Sequence, residues 1–224
     1  MRAVYLIIGL NTAMFGLWQY ALAKRDSKLL QKLHNNATCS WENVRAGRYW
    51  TLVTSAFTHT ELTHFAFNMV AFYAFGSIMA WVPGVAAVHV ISLSVGSAIA
   101  GSVSWLYYPK GANPTRDRRW GSNATQVRQV NVAQGASGMV MGAAATAACL
   151  MPFAPMYLML IPVPIPLWVV TGLYAAMDIW YLDSGDKVGH AAHLGGSIYG
   201  ALFYLAYLRG YGGIWQMARR RLRR

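Results

Sequence analysis

Three short segments of this chain hold nucleophilic, basic or hydrogen-bonding side chains in otherwise apolar surroundings. Ser137 lies in Gly135-Ala136-Ser137-Gly138, and His193 lies in His190-Ala191-Ala192-His193-Leu194-Gly195-Gly196. His64 and Asn68, four residues apart, occupy a third apolar stretch. A serine hydroxyl alone is a poor nucleophile, and a neighbouring imidazole that takes its proton makes it competent. Acyl transfer then needs donors for the oxyanion, for which the backbone N–H of Ser137 and the side chains of His64 and Asn68 are candidates. Residues at i and i+4 share one helix face, so His64 and Asn68 are presented together.

The elements that must position these groups are long uncharged runs. Of 224 residues, 56% are hydrophobic and 12% charged, about half the roughly 25% charged content of soluble domains. Lys+Arg number 19 against 7 for Asp+Glu. The basic residues fall in blocks between apolar runs, as in a multispan membrane protein; nucleic acid is not the expected partner. Two cysteines, Cys39 and Cys149, cannot make a disulfide framework. Composition thus excludes a disulfide-stapled secreted domain, a disordered tail and a conventional cytosolic enzyme.

Uncharged runs cover 21 residues from Ala3 to Ala23, 48 from Leu62 to Pro109, 49 from Gln129 to Met177 and 21 from Val188 to Leu208. About 20 apolar residues cross the hydrocarbon, so each of the two long runs holds two spans. Trp81-Val82-Pro83-Gly84 breaks the first, and Pro152, Pro155, Pro162, Pro164 and Pro166 break the second. The expectation is an all-α membrane protein with six spans, at about 3–23, 62–80, 85–108, 131–151, 166–182 and 189–208. Residues 209–224 form a basic C-terminal tail. Counting from the N-terminal side, that side carries 7 basic residues and the opposite side 12. The positive-inside rule would put the opposite side inside, while the arginine tail pulls the other way.

All even-numbered spans enter from that opposite side. Ser137 lies six residues past Asn131 and His193 six past Lys187, which puts both roughly 9 Å inside their predicted helix starts. His64 and Asn68, three and seven residues past Glu61, bracket the same depth. Gly138/Gly142 and Gly196/Gly200 are both GxxxG pairs, and small residues let helix backbones approach.

At these residues the sequence resembles the rhomboid intramembrane serine proteases. The match consists of Phe57-Thr58-His59 with His64-xxx-Asn68, Gly135-x-Ser137-Gly138, and Ala192-His193-x-Gly195-Gly196, over about residues 45–208. The Pro-rich run before span 5, Ala176-Met177-Asp178 and the His190–Gly196 segment look like the mitochondrial presenilin-associated rhomboid-like subgroup. The resemblance implies a six-transmembrane-helix rhomboid bundle and a Ser–His dyad without a third carboxylate. Ser137 would be the nucleophile, His193 the general base, and His64 and Asn68 the oxyanion hole, with Gly135, Gly138, Met141 and Gly196 supporting. Substrates would be single-span membrane proteins cut in or beside a helix that unwinds easily. The implied location is the mitochondrial inner membrane, with a secretory-pathway membrane as the alternative. Members of the subgroup carry a presequence and usually an extra helix before the six-span core.

Two positions depart from the family pattern. Trp50 is followed by Thr51 where many rhomboids have arginine, which puts the first loop's usual anchor in question. Met141 stands where an aromatic residue often stacks on the histidine; a thioether can still pack against an imidazole edge.

His59 is expected to be structural, bonding the first loop, and His190 to be loop support or a cap. Asp178 is expected to pair or cap structurally, since its odd-numbered span reaches the site's side only at its far end. Asp183 and Asp186 read as a solvated loop. No HExxH motif is present, and no carboxylate shares a helical face with His64 or His193, so neither metal nor cofactor is expected. The aromatics Phe65, Phe67, Phe72, Tyr73 and Phe75 read as lipid-facing or packing surface. The arginine tail is a topology signal, with anionic-lipid binding as its functional alternative. A catalytically silent rhomboid-like protein that escorts membrane clients is the alternative function, and a transporter the third. Asn36-Ala37-Thr38 and Asn123-Ala124-Thr125 are sequons expected to stay unglycosylated.

Overall fold

The computed structural model describes residues 1–108, 132–158, 161–184 and 188–223. Helix α1 (Arg2–Lys24) ends where Arg25 turns left-handed at φ 51°, and the Asp26 carboxylate caps the next helix by accepting from Leu29 N–H at 3.0 Å. Helices α2 (Ser27–Ala37), α3 (Trp41–Arg45) and α4 (Thr51–Thr54), then a 3-10 turn over Ser55–Phe57, fold the first loop. The apolar helices α5 (Leu62–Trp81) and α6 (Ala87–Tyr107) follow. Next come α7 (Ser137–Leu150), the strands β1 (Pro155–Leu158) and β2 (Ile161–Pro166), and α8 (Leu167–Trp180). Helix α9 (His190–Phe203) runs into a π turn over Tyr204–Leu208, and α10 (Ile214–Leu222) lies in the tail.

Among the described residues, three helices are long and apolar enough to cross a membrane: α1, α5 and α6. Helices α7 and α8 are apolar but only 14 residues each. The outer faces of these helices are apolar too: Tyr73 on α5 is exposed, as are Leu6 and Leu10 on α1 and Val88 and Ile91 on α6. A helix that is apolar all round belongs in a nonaqueous surround. Phe72 and Phe75 instead point inward and are buried, and Phe65 stacks on Phe15 at 4.5 Å.

Helix α7 is the centre of the bundle, with ten of its residues buried, most of them Gly or Ala. The two GxxxG pairs meet here. A Cβ on Gly196 would lie 2.2 Å from the Gly138 carbonyl oxygen, and one on Gly200 2.2 Å from that of Gly142. Gly101 on α6 brings a third backbone to Gly138 and Ala192. Thr146 Oγ1 closes the contact by donating to the Gly200 carbonyl at 2.8 Å. Without side chains between them the backbones pack directly, and close packing gains many small dispersion terms.

Three features differ from expectation. The fourth helix begins at Ser137, not near 131. Residues 132–136 are instead non-helical, with Ala133 bridged to Cys39 by two 2.9 Å backbone hydrogen bonds; residue 131 itself, the Asn123 sequon and Asp186 lie outside the described residues. The fold is also not purely helical: β1 and β2 pair antiparallel, with Pro155 opposite Pro166 and Met156 opposite Ile165. Both strands of a two-stranded sheet are edges, which tolerate proline's missing N–H. The fifth helix spans 167–180, slightly shorter than expected.

The first loop is anchored without an arginine after Trp50. Thr51 is buried and its hydroxyl donates to the Arg48 carbonyl at 2.6 Å. Trp41 Nε1 donates across to the Leu106 carbonyl at 2.9 Å, and Ser102 Oγ on α6 donates to the Leu52 carbonyl at 2.9 Å.

Candidate active site

The segment before Ser137 is shaped by glycine and held from one side. Gly135 has φ +119°, a region that L side chains rarely adopt. A Cβ there would also lie 2.6 Å from His64 Cε1, so the missing side chain is what lets the His64 ring lie over the turn. Gly135 N–H donates to the Ser55 carbonyl at 2.9 Å, and Gln134 Nε2 donates to Thr60 Oγ1 at 2.8 Å. Ala136 N–H donates to His59 Nε2 at 3.1 Å. His59 thus plays a structural part, but its hydrogen bond goes to the residue before Ser137 and not to the first loop; its Nδ1 has no partner among the described residues. Its ring is fully buried, and burial, with His64 beside it, pushes its pKa down to about 4. A neutral ring is what an Nε2 acceptor requires, because imidazolium has no lone pair to offer.

Ser137 therefore sits on the first turn of α7, at the helix N-terminus, rather than a turn and a half inside it. Backbone N–H groups at a helix start lack intrahelical partners and carry the positive end of the helix dipole. His193 is on the first turn of α9, and α9 reaches it across the Gly138–Gly196 contact. His64 is on the first turn of α5 and close enough to His193 to interact electrostatically. Asn68, buried one turn further on, donates from Nδ2 to the His64 carbonyl at 2.9 Å.

Ser137, His193, His64, Asn68, Gly135, Gly138 and Met141 all line one cavity of about 1400 Å³. Its other walls are Phe67, Val70 and Ala71 on α5, Val170 and Tyr174 on α8, and Met156 and Tyr157 on β1. The wall is largely apolar away from the first turns of α5, α7 and α9, where the polar groups gather. Gly196 lies outside the lining and acts through the backbone contact with Gly138.

Sequence reasoning set Asp178 apart from this site, and the structure does not. Asp178 is buried near the end of α8, and its Oδ1 lies 2.9 Å from His193 Nδ1 and 2.7 Å from His190 Nδ1. The faces of two different helices supply this contact, so no single-helix spacing could reveal it. The signals in the sequence were the i, i+3 spacing of His190 and His193 and the Ala176-Met177-Asp178 segment that carries part of the resemblance. Among the described residues, these three side chains are also the group whose possible ligand atoms converge, within 4.8 Å of one another. The two contacts to Asp178 are of hydrogen-bond length, and the tautomer of each ring decides where the proton lies. Asp183 is tied as well, accepting from the Tyr108 hydroxyl rather than simply facing solvent.

The chain is similar in sequence to known proteins. A family model for the rhomboid domain matches residues 46–210. Rhomboid protein 1, mitochondrial, of Saccharomyces cerevisiae is 33% identical over 207 residues, covering 89% of this chain and 51% of the yeast protein. Rhomboid protease AarA of Providencia stuartii is 30% identical over 178 residues, 72% of this chain and 57% of AarA. Presenilin-associated rhomboid-like protein A, mitochondrial, of Danio rerio is 28% identical, covering 94% of this chain and 48% of its own length. The chain spans about half the length of the curated relatives it matches.

Proposed function

The chain belongs to the rhomboid family, and on that premise we propose that it is an intramembrane serine protease, cutting peptide bonds in or beside the transmembrane helices of single-span proteins. One observation carries the reading. Ser137 and His193, on the first turns of α7 and α9, line the same cavity while their helices touch backbone to backbone at Gly138 and Gly196. Ser137 Oγ attacks the scissile carbonyl carbon as His193 takes its proton. The oxyanion is met by the Ser137 N–H, His64 and Asn68. His193 then gives the proton to the leaving amine as the C–N bond breaks, and a water molecule attacks the acyl-enzyme by the same route in reverse.

Six spans serve this chemistry: α1, α5, α6, α7, α8, and α9 with its π turn. At 1.5 Å per residue, a 14-residue α7 is about 21 Å long, short of the roughly 30 Å hydrocarbon thickness. Enclosed by other helices, it needs no lipid match, and its short reach leaves Ser137 below the membrane surface where water can arrive from the first-turn side. The apolar cavity wall between α5 and α8 suits an unwinding substrate helix. The relatives named mitochondrial favour a mitochondrial membrane, and the inner one is the location that goes with the proposed activity. The arginine tail, with exposed Trp215, Met217 and Leu222 on α10, fits an anionic lipid surface.

The test is fluorophosphonate labelling of the purified native chain, Ser137→Ala and His193→Ala. Labelling confined to the native chain is expected. A folded native chain that takes no label in detergent or in bilayers would overturn the protease reading in favour of a silent client-binding protein.

A further inference from the structure

We infer that Asp178 is the positioning residue of His193, and that His190 fixes the Asp178 carboxylate for that task, an inference that rests on the protease reading above. A single oxygen, Asp178 Oδ1, lies within hydrogen-bond distance of both Nδ1 atoms, at 2.9 Å from His193 and 2.7 Å from His190. The Asp178 side chain is 7% exposed, and the two imidazoles are 14% and 12% exposed. A buried carboxylate persists only when it is paired and hydrogen-bonded. An ionised carboxylate accepts and cannot donate, so each imidazole supplies an Nδ1–H. That requirement fixes the tautomer of His193: Nδ1 carries the proton, and Nε2 keeps its lone pair for the cavity side.

His190 is itself held in place. Its ring is stacked near Tyr181 at 6.0 Å and meets the His193 ring edge-on at 6.0 Å. Spacing of i, i+3 on the first turn of α9 puts both rings on the face that meets the end of α8. The pairing thus joins two helices at the level of Ser137.

The consequence falls on the proton-transfer step. As the Ser137 Oγ–C bond forms, its proton moves to His193 Nε2 and the ring becomes a cation. The Asp178 carboxylate, 2.9 Å from the opposite nitrogen, stabilises that cation in a site of low dielectric. When the scissile C–N bond breaks the proton leaves on the amine, and the ring returns to its Nδ1–H tautomer without rotating. Asparagine is nearly isosteric but can present its NH2 group to Nδ1, which favours the wrong tautomer.

The experiment compares the full-length native chain with Asp178→Asn by saturation kinetics of fluorophosphonate labelling, with Ser137→Ala as the blank. Expected is a fall of roughly 100-fold or more in the maximal labelling rate, with the half-saturating probe concentration within about threefold. An unchanged maximal rate, whatever happens to the melting temperature, would leave Asp178 a mere tie between helices and overturn the inference. Because the variant could fail to fold, 15N-histidine NMR of the native chain at pH 8 provides the second measurement. A His193 protonated at Nδ1 is expected, and one protonated at Nε2 overturns the inference with no variant needed. If the native chain does not label at all, the protease reading fails. If it labels through Ser137 while Asp178→Asn labels equally fast, only the present inference fails.

Discussion

At His59 a buried imidazole does its work by staying neutral, accepting the Ala136 N–H that sets the turn before Ser137. The unfolded chain takes up a proton on this residue near pH 6.5 and the folded chain only near pH 4. Its contribution is therefore complete above pH 6.5 and is lost as pH falls toward 4, by on the order of 3 kcal/mol. Thermal unfolding of the native chain and His59→Gln between pH 7.5 and 4.5 checks this. The native melting temperature is expected to fall with pH more steeply than that of the glutamine variant, which has an acceptor oxygen but no proton to gain. Gly135 makes the neighbouring case. Gly135→Ala places a side chain at φ +119° and against His64, at a cost of about 2 kcal/mol or more. A lower melting temperature and loss of fluorophosphonate labelling are both expected, whereas wild-type labelling would show that the turn tolerates a Cβ.

The helices divide by what their glycines meet. Gly196 and Gly200 on α9 face the carbonyls of Gly138 and Gly142 with no room for a Cβ, while a Cβ on Gly172 in α8 meets nothing within 4 Å. Gly196→Ala must push α9 from α7 and carry His193 away from Ser137. At least a tenfold loss of labelling rate and a lower melting temperature are expected. Gly172→Ala is the matched control, where removing helix-interior glycine gains up to about 1 kcal/mol and activity stays unchanged. Equal effects of the two substitutions would contradict the assigned packing. Both GxxxG pairs were legible in the sequence because a four-residue spacing is a property of one helix. Their pairing with each other was legible as well, since no other spans carried both a GxxxG pair and a chemical group at matching depth.

Across the whole molecule the ends of α7 face opposite ways. Ser137 opens into the cavity at one end, and at the other Leu150 packs by Gly213, where the arginine-bearing tail begins. The tail therefore lies on the membrane face away from the site. Replacing Arg219, Arg220, Arg221, Arg223 and Arg224 by Gln is expected to abolish any melting-temperature gain from anionic over neutral lipid nanodiscs, while labelling of Ser137 in neutral lipid stays as in the native chain. A gain that survives the substitution would remove the tail from lipid recognition.

The sequence by itself determined that the chain is a helical membrane protein and where most of its apolar helices lie to within a few residues, the fourth starting six residues later than the spacing predicts. Those properties follow from composition and from spacing along single helices. Only the tertiary structure decided that α7 starts at Ser137. That start depends on Cys39, Ser55, His59 and Thr60, more than 70 residues away, holding residues 133–136 out of the helix. It likewise decided that Asp178 faces His193 and His190. The rotation of α8 about its own axis sets that contact, and a helix that is apolar on nearly every side gives no periodic pattern from which its rotation can be read.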